Sequence, residues 1–369
     1  MNAWIKMRVP VRSSLERIEE YKPGKLVKGA IKLSSNENPL GPSPKVIREI
    51  VESIGEGKLN LSVYPWERKE EELKDEILRY IGVGTARKRK ENIAIGAGVD
   101  GVLDTLVQIF IANDAEALIP VPTFSLYESL VKIAGGTPRY IKRKWGEDFS
   151  IPVEGLISAC NEKTKMIFIS SPNNPTGNCI PEDEVREIIE LVPEVMVVID
   201  EAYVEFADSS LLNLVTEYEN VLVLRTFSKA FGLAGLRVGF AVIPEWLAIY
   251  YNKVSIPFSV NSVAITAAIA ALRDKEHLRR SIELVKRERQ FLIENLQRFF
   301  EVYPSEANFV FVNVSPAKSS EVYDALMKKG IIVRDCSSFR GAGDSFIRIT
   351  VGTREQNEKV VGALKGISL

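Results

Sequence analysis

Short apolar runs alternate with amphipathic stretches through the middle of the chain. Residues 93–95, 117–121, 166–170, 195–199, 221–224 and 238–242 are strand-length runs of mainly Ile, Val, Leu, Phe and Ala. Between them, Val102, Leu103, Leu106, Val107 and Phe110 fall on one stripe of a helix predicted over 102–110, and a second helix is predicted over 182–191. This alternation predicts an α/β unit built on a parallel sheet. Polar and small residues gather after the strand ends, where such sheets bind ligands. From about residue 262 the pattern changes. A long helical region, Ala-rich and then charged, reaches about residue 300. It is followed by a strand over 308–314, a helix over 319–329, strands over 331–334 and 346–351, and a last helix from Arg354. The first 45 residues are loop-like and rich in proline, and pack over a larger body rather than fold alone. The expectation is therefore a large unit over 46–261 and a smaller α+β unit formed by 1–45 with 262–369. No repeats or low-complexity tracts interrupt this. A chain of 369 residues is long enough for two such cores.

Charge and rare residues narrow the chemistry. The 48 basic and 49 acidic residues nearly cancel, which argues against a dedicated nucleic-acid binder. The basic run Arg87-Lys88-Arg89-Lys90 reads as a solvated loop between a helix and a strand. No apolar stretch reaches membrane-spanning length without a charge or a proline, and the N-terminus has no secretory core. A cytoplasmic protein, off the membrane, is the expectation. Cys160, Cys179 and Cys336 are widely spaced, so neither a disulfide framework nor a zinc site is expected, nor any other metal. His277 is the single histidine, set in a charged helical run and read as a surface residue. Proton transfer must then fall to lysine, tyrosine or a carboxylate.

The candidate chemistry centres on R-T-F-S-K-A-F-G-L-A-G-L-R-V-G-F, residues 225–240. Lys229 follows a strand end, with Ser228 beside it and Arg237 eight residues on. A neutral lysine amine condenses with an aldehyde, and a hydroxyl with an arginine holds a phosphate. Pyridoxal phosphate carries both groups. Asp200 ends the run V-M-V-V-I-D and suits a protonated pyridine nitrogen, while Tyr203 and Asn174 (in S-P-N-N-P-T-G) can donate to the ring oxygen. In G-A-G-V-D-G, residues 96–101, the N–H groups of Gly98, Val99 and Asp100 form a candidate phosphate cup before a helix expected to start near Val102. The turn lacks the acidic strand end of a dinucleotide fingerprint. Phe124 leaves the same sheet edge and could stack on a pyridine face.

These residues resemble the fold-type-I pyridoxal-phosphate aminotransferases and, within them, the histidinol-phosphate aminotransferases. The resemblance runs from about Tyr21 to the C-terminus. It is carried by L-S-S-N-E-N-P-L-G-P-S-P (33–44), Y-P (64–65), S-P-N-N-P-T-G (171–177), V-V-I-D-E-A-Y-V-E-F (197–206), residues 225–240 and I-R-I-T-V-G-T-R-E-Q-N (347–357). It implies a large domain with a mostly parallel seven-stranded sheet flanked by helices, and a smaller α+β domain. It also implies Lys229 as the Schiff-base lysine, Asp200 as the pyridinium partner, and Asn174 and Tyr203 as ring-oxygen donors. The phosphate ligands would be the 98–100 turn, Ser228 and Arg237, with Tyr64 reaching in from the other subunit of a homodimer with shared sites. Arg348 and Arg334 would grip substrate anions, with Tyr21 and Asn38 as further substrate contacts. Phe124 stands where the family usually has tyrosine, and Val99 and Gly101 interrupt its usual polar turn.

The leading expectation is amino transfer between L-histidinol phosphate and 2-oxoglutarate, giving 3-(imidazol-4-yl)-2-oxopropyl phosphate and glutamate, as in histidine biosynthesis. An aromatic amino-acid aminotransferase and a threonine-phosphate decarboxylase stay open as alternatives. A non-catalytic pyridoxal-phosphate regulator would call for an appended DNA-binding domain, for which this chain leaves no room.

Overall fold

The computed structural model describes residues 12, 15, 18, 27–65, 67–82, 89–146 and 148–367. A seven-stranded sheet forms its centre. Its strands are β2 (Ile93–Gly96), β3 (Glu116–Val121), β4 (Thr137–Lys142), β5 (Thr164–Ser170), β6 (Met196–Asp200), β7 (Val221–Thr226) and β8 (Gly239–Val242), in the order β2-β8-β7-β6-β5-β3-β4. Strands β3 to β7 run parallel to one another, and β8 pairs antiparallel with both β2 and β7. The reversal follows from chain length. Only residues 227–238 link β7 to β8, a loop with no room for the crossover helix that parallel neighbours need.

The apolar runs are continuous because both faces of the sheet are covered. Along β6, Val197 and Ile199 enter one core while Met196 and Val198 enter the other, and β7 divides Val221 and Val223 from Leu222 and Leu224 in the same way. Helix Gly98–Phe110 covers the second face with Val102, Leu103, Leu106 and Val107. Helix Ser262–Arg273, expected in the smaller unit, instead lays Ala264, Ile265, Ala268, Ile269 and Leu272 into the first core. Its alanines allow close approach to helices Pro44–Gly55 and Glu67–Ile81. Full burial of each larger side chain contributes about 1.5–3 kcal/mol.

A second sheet is antiparallel throughout: β9 (Glu301–Tyr303), β10 (Phe309–Asn313), β12 (Arg334–Asp335) and β13 (Phe346–Thr350), in the order β12-β13-β10-β9. The expected strand over 331–334 divides at Val333. Its first half, β11 (Ile331–Ile332), pairs in parallel with β1 (Ile31–Lys32) and ties the N-terminal segment to this region. Helices Lys275–Leu296, Ser319–Lys328 and Arg354–Lys365 complete its core. Among the described residues, no helix is long and apolar enough to cross a membrane.

His277 departs from the surface reading. It is buried, with Nε2 3.1 Å from Gly41 O, because this turn of its helix faces the N-terminal segment rather than solvent.

Candidate active site

Five strands deliver polar groups to one edge of the large sheet. The loop after β3 carries Phe124, the loop after β5 carries Asn174, and β6 ends on Asp200 with Tyr203 just beyond. The loop after β7 carries Ser228 and Lys229, and β2 leads into the helix that begins at Gly98. With Arg334 and Arg348 from the second sheet, and Val99, Asp100 and Arg237, these side chains line one cleft. Residues far apart in sequence thus meet at the carboxyl ends of parallel strands.

Lys229 is half-buried there. Its Nζ lies 3.4 Å from Ser35 O and 5.6 Å from the centre of the Tyr203 ring. Burial, reinforced by the positive charge of Arg348, lowers its pKa to about 8, so a neutral amine is accessible near physiological pH. Asp200 is pushed the other way, up to about 6 by burial, against the hydrogen bond from Tyr127 and the backbone N–H of Ala202. Tyr127 Oη donates to Asp200 Oδ2 at 2.6 Å, and Ala202 N–H donates to Oδ1 at 3.0 Å. Each carboxylate oxygen therefore has a donor that fixes its plane. The neighbouring Glu201 is fully buried and accepts from Arg225 Nε and Nη2, Ser210 and the N–H of Leu211, which anchors the strand end beneath Asp200.

The two asparagines of the S-P-N-N-P-T-G loop divide the work. Asn173 donates to Pro122 O and Thr176 Oγ1 and holds the loop. Asn174 accepts from Arg348 Nη1 through its carbonyl, so its Nδ2 is left for the cleft. Arg348 also donates to Ser34 O at 2.7 Å. Arg334 and Arg348 sit directly opposite each other on β12 and β13. Arg334 lines the cleft with its guanidinium 5.5 Å from the Phe339 ring centre.

The anion cup differs from expectation in one respect: the helix starts at Gly98, four residues before the position the apolar stripe suggested. Hydrophobic periodicity does not register a first turn of glycine and aspartate. The N–H groups of Gly98, Val99 and Asp100 consequently belong to the first turn, where the helix dipole favours an anion. Gly98 has φ 74°, and a Cβ there would stand 2.7 Å from Arg237 Nη2. A Cβ on Gly239 would stand 2.6 Å from Val99 N. Both glycines let Arg237 close on the helix start. Arg237 donates to Asp100 Oδ2 at 2.6 Å and lies 3.5 Å from Ser228 Oγ. A cationic cup, a strand-end carboxylate and an amine of lowered pKa in one cleft fit the phosphate, ring nitrogen and aldehyde of pyridoxal phosphate.

Two expected site residues stand outside this chain's cleft. Asn38 is turned from the cleft; its Nδ2 donates to Ala230 O and Ser281 Oγ, and its Oδ1 caps Leu40 N–H. Asn36, two residues earlier, lines the cleft in its place. Tyr64 is 74% exposed and stacks on Phe258 with ring centres 4.7 Å apart, outside this chain's own cleft. Tyr21 lies outside the described residues. Tyr127 and Asn36 are cleft residues that the sequence reading passed over. Tyr127 follows Phe124 by three residues, on the first turn of helix Leu126–Ala134, and that spacing was the available signal.

Comparison with known proteins gives this architecture its class. The family model for aminotransferase class I and II matches residues 28–364, and the chain belongs to that family. Among curated relatives, the histidinol-phosphate aminotransferase of Methanosarcina mazei is 47% identical over 96% of this chain and 96% of its own. Among solved structures, the histidinol-phosphate aminotransferase of Clostridium acetobutylicum superposes with a TM-score of 0.81 at 29% identity, covering 91% of this chain and 98% of that one. The Sinorhizobium meliloti histidinol-phosphate aminotransferase, solved in complex with pyridoxal-5'-phosphate, gives a TM-score of 0.80 at 26% identity, covering 91% and 90%.

Proposed function

We propose that this chain transfers an amino group between L-histidinol phosphate and 2-oxoglutarate, with pyridoxal phosphate held in the cleft around Lys229. The observation that carries the reading is the pair Arg334 and Arg348, in register on adjoining strands and lining the same cleft as Lys229. Histidinol phosphate offers a phosphate, whereas glutamate offers carboxylates. A site that accepts both in turn needs guanidinium forks suited to either anion.

Bound in the cleft, pyridoxal phosphate supplies an aldehyde that links to amines and a ring that draws electrons from the carbon losing its proton. Lys229 Nζ would accept and return the proton, so one amine would serve as base and acid. Asp200, ionised and fixed by Tyr127 and Ala202, holds a proton at the ring nitrogen. Tyr203 and the Nδ2 of Asn174 would donate to the ring oxygen, and Phe124 would pack against the ring. The first turn of the helix from Gly98, Ser228 and Arg237 would hold the phosphate.

In the same reading the protein is a homodimer and Tyr64 completes the partner subunit's phosphate site. Its exposure here supports that role. The chain divides into 46–261 and 1–45 with 262–369, the helix Ser262–Arg273 lying against the former. The protein works in the cytoplasm, apart from nucleic acid and membranes.

The arginine pair provides the test. Arg334→Met should raise the KM for histidinol phosphate roughly 10- to 100-fold, the cost of one charge-assisted contact, with a smaller effect on glutamate. Arg348→Met should impair both half-reactions, since Arg348 also orients Asn174. Equal, small effects of Arg334→Met on both substrates would sink the assignment of phosphate recognition to this pair.

A further inference from the structure

We propose that Asn36 is a positioning residue that turns the hydroxyl proton of Tyr203 into the cleft; the inference rests on the role of Tyr203 given above. Asn36 is a buried non-glycine residue in the left-handed region, φ 55°, a conformation that costs free energy and persists where the surroundings fix it. Its N–H donates to Thr350 Oγ1 at 3.0 Å, and its carbonyl accepts from Asn308 Nδ2 at 2.9 Å. The hydroxyl of Thr350, already accepting from that N–H, donates to Asn36 Oδ1 at 3.1 Å. The amide orientation follows: with Oδ1 facing Thr350, Nδ2 faces Tyr203 and donates to Tyr203 Oη at 2.9 Å. Every polar atom of Asn36 is engaged.

The direction of that last bond matters more than its strength. An amide nitrogen only donates, so Tyr203 must accept from Asn36, and its own proton must go elsewhere. Tyr203 lines the cleft, and the cleft is where that proton is left to go. A hydroxyl otherwise free to rotate becomes a fixed donor before any ligand arrives. The same left-handed turn sets the preceding carbonyls, with Ser34 O accepting from Arg348 and Ser35 O lying against Lys229 Nζ. The S-S-N segment, residues 34–36, thereby touches three groups of the site, Arg348, Lys229 and Tyr203.

The charged and titratable groups facing Tyr203 are Arg348, Asp200, Asp100 and Tyr127, with Lys229 over its ring. None is changed in the test. The readout is the pH midpoint of the visible absorption of the protein loaded with pyridoxal phosphate, which responds to hydrogen bonds made to the cofactor. Asn36→Asp replaces the donor with an acceptor that captures the Tyr203 proton. Its midpoint should rise by roughly one unit, with kcat falling about tenfold and KM changing less. In a Tyr203→Phe background the same substitution should shift the midpoint far less. Asn36→Gly keeps the left-handed backbone and removes the whole side chain, both the donor to Tyr203 and the acceptor facing Thr350. It should give a smaller shift of the same sign, again suppressed by Tyr203→Phe. If Tyr203→Phe alone leaves the midpoint unmoved, the role of Tyr203 falls and the inference with it. If Tyr203→Phe moves it while the Asn36 variants do not, or do so equally in both backgrounds, the role of Asn36 alone is overturned.

Discussion

Lys229→Ala is expected to lose turnover by about 10⁴-fold or more while the protein still binds pyridoxal phosphate. The amine is the only lysine lining the cleft among the described residues, and His277, the single histidine of the chain, is committed to Gly41 O. Among the described residues no second lysine and no histidine lines the cleft, and loss of a positioned general base alone costs about 10²–10⁴-fold. Cofactor retention should persist because the phosphate cup at Gly98–Asp100, Ser228 and Arg237 does not involve the amine. Absorbance of the gel-filtered protein measures retention, and kcat measures the rest. Turnover within tenfold of wild type would remove Lys229 from the chemistry. The same inactive chain tests the shared site. Mixed with an inactive Tyr64→Phe chain, it should form hybrid dimers with one intact site and regain activity. Undiminished activity of Tyr64→Phe, or full activity of a monomer, would contradict the shared-site reading.

Asp200→Asn should lower turnover by about 10²-fold, equivalent to about 2.7 kcal/mol. The amide keeps the shape and still accepts from Tyr127, but it carries no charge to keep the ring nitrogen protonated. The pH dependence has a definite sign. Burial raises the Asp200 pKa to about 6, so the carboxylate is ionised above that value and neutral below it. Cofactor affinity of the wild-type apoprotein should therefore fall as pH drops through about 6. Asp200→Asn should lack that limb, binding more weakly above about pH 6 and converging with wild type below it. Near wild-type turnover in Asp200→Asn would show the assignment to be wrong.

Much of this was legible in the sequence, for reasons the structure makes plain. Strands β2, β3, β5, β6, β7 and β8 lie between two covering layers, so their apolar runs stand out; β6 and β7 divide alternate residues between two cores. Strand β4 gives no such signal, because it is a half-exposed edge strand whose sequence T-P-R-Y-I-K carries Pro138, Arg139 and Lys142. The antiparallel direction of β8 is likewise invisible to periodicity. Lys229, Asp200, Asn174 and Tyr203 each sit just past a buried strand end, and sequence position alone located them at the cleft. Asn38 and Asn36 share one motif and differ only in which way the chain turns. The left-handed backbone at Asn36, fixed by Thr350 and Asn308 more than 270 residues away, decides between them. Tyr127 escaped notice because its role is read from a contact with Asp200 across 73 residues.

The most direct test of amino transfer from a phosphorylated amine is the single-turnover absorbance change of the pyridoxal-phosphate-loaded enzyme, mixed in turn with histidinol phosphate, phenylalanine and threonine phosphate. Rapid conversion of the cofactor to its amino form by histidinol phosphate, with far slower conversion by phenylalanine and no carbon dioxide from threonine phosphate, is the predicted result. Preferential conversion by phenylalanine, or carbon dioxide release from threonine phosphate, would contradict it.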